Sequence, residues 1–194
     1  MSITRPMESS RPPDLATDPT VRRSVIEHAA VREILMGAQD NLTNVLAVML
    51  GVSIGTGRAD LVALAGMSAA VAEAVSMGGV LYSSTRAENV LDEHTQATPG
   101  VAPRIALTPV RSGLLTFAAA LLGGIVPLSP FVVLPLPAAV PVSIAVSVGA
   151  LFLLGTAIGR ISGSMWWREG LRLVFVAGLA AVASAAIGTM LRVQ

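Results

Sequence analysis

Five stretches of this chain, residues 34–54, 61–82, 113–133, 138–160 and 171–191, are apolar for about twenty residues each. That is the length an α-helix needs to cross roughly 30 Å of hydrocarbon. Lipid offers the backbone no hydrogen-bond partners, so a spanning segment of this length has to be helical. The expected fold is an all-α integral membrane protein with five transmembrane helices. Charged residues make up 13% of the chain, about half the share of a soluble domain, so the lipid bilayer is its first partner. The 55–60 turn between the first two spans is short enough to force an antiparallel hairpin. Pro127, Pro130, Pro135 and Pro137 crowd the end of the third. They predict a helix ending near Pro127 and a proline-rich return loop. Residues 1–20 read as a disordered polar tail without the apolar core of a secretory signal. Residues 21–33 read as a juxtamembrane helix, and 34–194 as the transmembrane domain, with a short loop at 83–108.

Arginine placement sets the expected orientation. All 13 basic residues are arginines. With the N-terminus inside, the inner segments hold Arg5, Arg11, Arg22, Arg23, Arg32, Arg86, Arg104, Arg111, Arg160, Arg168 and Arg172, and only Arg58 and Arg192 lie outside. This positive-inside bias predicts a cytoplasmic N-terminus and 83–108 loop, and an external or lumenal C-terminus. Trp166 and Trp167, the only tryptophans, precede the last span, where interfacial anchors belong.

Two carboxylates interrupt these apolar stretches, Asp40 in the first and Glu73 in the second. An ionisable side chain at membrane depth costs about 2.5–3.5 kcal/mol or more, and marks a functional site by default. Neither span carries an Arg, Lys or His at that depth, so protons or metal cations are the neutralising partners to expect. At 1.5 Å per residue the acids lie roughly 9 Å and roughly 12 Å from the cytoplasmic ends of antiparallel helices. Their depths allow them to converge on one cation, while their rotational facing is not set by the sequence. The plain alternatives are an Asp40 that snorkels or bonds its polar neighbours, and a Glu73 that is structural.

Each acid has a thioether one turn away, Met36 before Asp40 and Met77 after Glu73. Carboxylate with thioether suits a softer divalent ion such as Fe²⁺ better than Mg²⁺ or Ca²⁺. Methionine is also ordinary apolar filler. Asn44 lies one turn beyond Asp40 in a polar run, Gln39–Asn44, broken only by Leu42.

Other features carry less chemistry. Glu88, Asp92, Glu93 and His94 would lie on a cytoplasmic continuation of the second helix. They are weak metal candidates against the plainer reading of a solvated helix end. Gly66, Ala70, Ala74 and Gly78 in the second helix, and Gly155, Gly159 and Gly163 at the end of the fourth, recur at four-residue spacing. They read as close-packing seams within a bundle or a dimer. No cysteine is present, so a thiolate site is excluded. The spans show no nucleophile–base pair, and the chain carries no phosphate loop or nucleic-acid signature. An enzyme is not expected.

The segment from Arg32 through Glu33, Ile34, Met36, Gly37 and Asp40 to Leu42 resembles the Arg-Glu-Ile-x-x-Gly-x-x-Asp-Gly-Leu opening of the vacuolar iron transporter family. That family includes the nodulin-21-like proteins and many bacterial members. Ala74-Val75-Ser76-Met77-Gly78, followed by Tyr82 and Ser83, is similar to its second-helix motif. Leu122 to Leu128 and Leu153-Leu154-Gly155 are similar to its later helices. The resemblance implies a homodimer of five-helix protomers that exports Fe²⁺ or Mn²⁺ from the cytoplasm in exchange for protons. Asp40 and Met77 would be pathway residues. There are three departures. Ala69 and Leu81 stand where many members have Glu, and most of the cytoplasmic metal-binding region is missing.

The reading that follows is a divalent-metal/proton antiporter with no resident cofactor. Its pathway is Asp40, Glu73 and Met77, with Met36 and Asn44 contributing, in a bacterial inner (plasma) membrane. Acids held away from water take up protons when the metal leaves. Two alternatives stay open: a non-transporting interaction or assembly protein that retains the fold, which the departures favour, and a proton-coupled transporter of another small solute.

Overall fold

The computed structural model describes residues 19–96 and 107–192, and among these there are five helices and no strand. They are α1 (Pro19–Thr56), α2 (Ala59–Gln96), α3 (Pro109–Val133), α4 (Leu136–Ile161) and α5 (Trp166–Met190). The juxtamembrane helix expected at 21–33 and the span expected at 34–54 form one unbroken helix, because no proline or glycine pair interrupts residues 20–50. Likewise α2 runs past residue 82 to Gln96. The polar tail and the 97–106 segment lie outside the described residues.

Proline placement explains the starts, and one correction. Pro109 opens α3 at its first turn and Pro137 lies in the first turn of α4, where a missing N–H costs nothing. However, α3 does not end near Pro127. It continues through Pro127 and Pro130 to Val133, and the return loop is confined to Leu134 and Pro135. A proline removes the hydrogen bond to the carbonyl four residues back. At Pro130 that carbonyl is Val126, and the Ser129 hydroxyl donates to it instead at 2.8 Å. At Pro127 the residue four back is Gly123, which has no side chain to add to the crowding. The Pro127 carbonyl in turn accepts from Ser143 of α4 at 2.7 Å.

The α1–α2 turn closes on Gly57, whose φ of +63° suits only glycine without strain. Arg58 clamps Asp60 there through two nitrogens, at 3.2 and 2.6 Å.

Helix α1 is the centre of the bundle and packs against all four others; α2 packs on α3, α3 on α4, and α4 on α5. Lipid provides no hydrophobic drive between helices, so close backbone approach has to supply the contact. Gly123 of α3 lies against the backbone of Ala38, and Gly188 of α5 against Gly51. Gly66, Ala70, Ala74 and Gly78 are all buried within the protomer. That seam belongs to the bundle. Gly155 and Gly159 meet Gly170 and Trp166 of α5. Gly163 does not continue their stripe: it has a φ of +65°, open space around it, and sits in the α4–α5 turn.

Helices α2 to α5 are long and apolar enough to cross a membrane. Helix α1, at 38 residues as long as α2, is not among them. Gln39, Asp40, Asn41, Thr43 and Asn44 lower its hydropathy midway along. The helix at the centre of the bundle is therefore its most polar one.

Candidate metal pathway

Three polar side chains of α1 follow one another toward the arginine-rich end, and they have different fates. Asn41 is fully buried, and its side-chain amide donates to the carbonyls of Ala70 on α2 (2.9 Å) and Ala120 on α3 (2.7 Å). Asp40, its neighbour, points the other way and is exposed. Glu33, two turns earlier on Asn41's side of the helix, is 6% exposed.

The Asn41–Ala70 bond and the contact of Met49 with Gly66 set the antiparallel register of α1 against α2. In that register Asp40 is level with positions 71–75, centred on Glu73, and Met36 with positions 75–79, centred on Met77. Ala69 packs against the core cluster of Val45 and Met49 of α1 with Val62 and Ala70 of α2. Glu73 and Met77 follow it at four-residue intervals on α2 and are half-buried.

On α1, Met36, Asp40, Thr43 and Ala47 form a single face at helical spacing. Met36 and Asp40 are exposed, and Thr43 and Ala47 half-buried. The other faces are taken: Gly37 and Asn41 meet α3, Met49 meets α2, and Leu42 meets α4 and α5. Asn44 is half-buried beside this open face. Among the described residues no three His, Asp or Glu side chains come together. The structure thus places Met36 and Asp40 on a face of α1 turned away from α2, with Met36 also lining a cleft against the end of α4, and does not bring them together with Glu73 and Met77. Of the weaker candidates, Glu88 is exposed on α2. The side chains of Asp92, Glu93 and His94 lie outside the described residues.

The structure adds a polar seam that the sequence reading passed over. The Ser112 hydroxyl of α3 donates to Glu33 Oε1 at 2.5 Å, and Thr85 of α2 donates to Ser112 Oγ at 3.1 Å. This ties three helices together at the arginine-rich end. Glu33 Oε2, Thr116 Oγ1 and Asn41 Oδ1 are buried without partners at successive turns of the α1–α3 contact. Such orphan oxygens are costly, and mark places for a water or an ion. The signal was present: Glu33, Gly37 and Asn41 share one helical face, as do Ser112, Thr116 and Ala120.

A model of the VIT family matches residues 31–101 and 86–189, reaching into all five helices. The chain belongs to the VIT family. VIT membership makes it an integral membrane protein of a metal-ion transporter family rather than of an enzyme family. The two VIT-matched segments overlap at residues 86–101, around the end of α2. No curated protein matches the chain.

Proposed function

We propose that this protein exports a divalent metal ion, Fe²⁺ or Mn²⁺, from the cytoplasm in exchange for protons. The observation that carries this is Asp40, a carboxylate exposed midway along the central helix α1, at the height of Glu73 on α2. A carboxylate exposed on the central helix of a membrane bundle is untenable against lipid. A second copy of the chain, packed with its own α1 across this face, removes Asp40 from lipid and adds a second Asp40 to the donor set. The path then runs between two protomers, with α1 as a fifth span and the arginine-rich end in the cytoplasm. Carboxylates and thioethers together favour a softer divalent ion such as Fe²⁺ over Mg²⁺. Protons return on the acids once the metal leaves.

The test is uptake of Fe²⁺ and Mn²⁺ into proteoliposomes under an imposed pH gradient, comparing wild type with Asp40→Asn and Glu73→Gln. Flux should follow the gradient and fall at least about tenfold in each variant, the effect expected of losing about 1.4 kcal/mol or more of cation stabilisation. Folded protein with no flux above empty liposomes would leave the interaction-module reading in its place.

A further inference from the structure

The α4–α5 turn is built for something other than cation passage. It carries Arg160 with its guanidinium 5.9 Å from the centre of the Trp166 ring, and Arg168 with its guanidinium 5.3 Å from that of Trp167. Both distances are within cation–π range. The turn is held rigidly: Ser162 N–H donates to Ile158 O and Ser164 N–H to Gly159 O, both at 2.9 Å. Gly159 also brings α4 against Trp166. Yet the surface so fixed is open, with Arg160 to Arg168 all exposed, including Met165, Trp166 and Trp167.

Beside it, a cleft of about 130 Å³ opens between α1 and the end of α4. Val31, Leu35, Met36, Ile158 and Ile161 make its apolar wall, and Arg32 and Ser162 stand at its rim. Arg32 thus stands at the mouth of the cleft, and Arg160 and Arg168 lie on the adjoining turn, stacked on Trp166 and Trp167. The acid at the turn, Glu169, is engaged by Arg172 at 3.8 Å. Apolar wall, cationic rim and interfacial tryptophans match an amphiphile with a negative head.

We propose that this cleft and turn bind the headgroup of an anionic phospholipid. The phosphate sits on Arg32 and Ser162 at the rim, within the positive field of Arg160 on the adjoining turn, and the first part of an acyl chain lies along Val31, Leu35 and Ile158. Basic pockets between helices hold acidic headgroups in this way, each arginine raising local affinity about fivefold. The site fixes the start of α5 against α1 at the membrane surface, and it stands whether or not the metal-transport reading holds.

Trp166 and Trp167 are the only tryptophans in the chain, so intrinsic fluorescence reports on this turn alone. Purified full-length protein is placed in vesicles that mix phosphatidylcholine with phosphatidylglycerol, with one or the other dibrominated on its acyl chains. Quenching then yields the relative binding constant of the two lipids at the tryptophans. Wild type should prefer phosphatidylglycerol about fivefold or more, and Arg32→Gln with Arg160→Gln should bring the ratio close to unity. Arg192→Gln, at the opposite end of the molecule, should leave it unchanged. Equal quenching by the two lipids in wild type, or a preference that survives the double substitution, overturns the proposal. So does loss of the preference on adding millimolar inorganic phosphate at constant ionic strength, which would reassign the site to a free anion.

Discussion

Asn41 donates a 2.9 Å hydrogen bond to the carbonyl of Ala70, and through it the register of the first hairpin is set. Its second hydrogen reaches Ala120 at 2.7 Å, so one amide joins α1 to two helices. Its neighbour Asp40 faces outward at the height of Glu73. One residue organises the bundle, and the next stays exposed on the surface of α1.

Replacing Asn41 with Leu removes both interhelical bonds. At about 0.6–1.7 kcal/mol per bond in a membrane bundle, the protein should lose roughly 1–3 kcal/mol of stability. Unfolding in mixed micelles against a graded SDS fraction measures this. A midpoint equal to wild type would mean that packing alone holds the register.

Two glycines of similar sequence context should behave oppositely. A methyl group on Gly123 would enter the backbone of Ala38, whereas one on Gly149 meets nothing within 4 Å. Gly123→Ala should therefore force α1 from α3 and lower the thermal midpoint in detergent by several degrees, in line with a cost of about 1–3 kcal/mol for overpacking. Gly149→Ala should leave the midpoint at or slightly above wild type, since alanine is the better helix former.

On the proposed reading metal and protons compete for the same carboxylates, so metal affinity should fall as the pH is lowered. The sign follows from mass action: protons bind the empty site and have to leave before metal enters. Isothermal titration with Mn²⁺ at several pH values checks it, and a flat profile would count against proton coupling. Met77→Leu keeps the volume and removes the sulfur. It should weaken Fe²⁺ binding about tenfold while leaving Mg²⁺ binding unaffected.

The open α1 face should be where two protomers meet. The native chain has no cysteine, so single cysteines report without background. Met36→Cys or Ala47→Cys should cross-link two copies under mild oxidation. Leu179→Cys, on the exposed side of α5, should not. Cross-linking from Leu179 alone would move the interface to α5 and leave Asp40 unexplained.

Helices were legible because their signals are local. Runs of Leu, Val, Ile and Ala declare the apolar segments, and the short 55–60 turn forces the antiparallel hairpin. Pro127 and Pro130 misled for a reason that is not local to the proline. Ser129 supplies the hydrogen bond that Pro130 cannot, and Gly123 relieves the ring, so α3 runs on. Gly163 misled by spacing: it falls in step with Gly155 and Gly159, but a positive φ places it in a turn.

By itself, the sequence determined that the chain is helical and apolar, that its arginines gather toward one end, and that Asp40 and Glu73 lie at similar depths. Those properties depend on composition and on the fixed rise of the helix. Only the tertiary structure decided which polar residues turn inward. Asn41 and Glu33 found partners on α2 and α3, and Asp40 did not, because rotation about the α1 axis is set by where Gly123, Gly188 and Gly66 let neighbouring helices approach. Those approaches join residues far apart along the chain, and no local pattern encodes them.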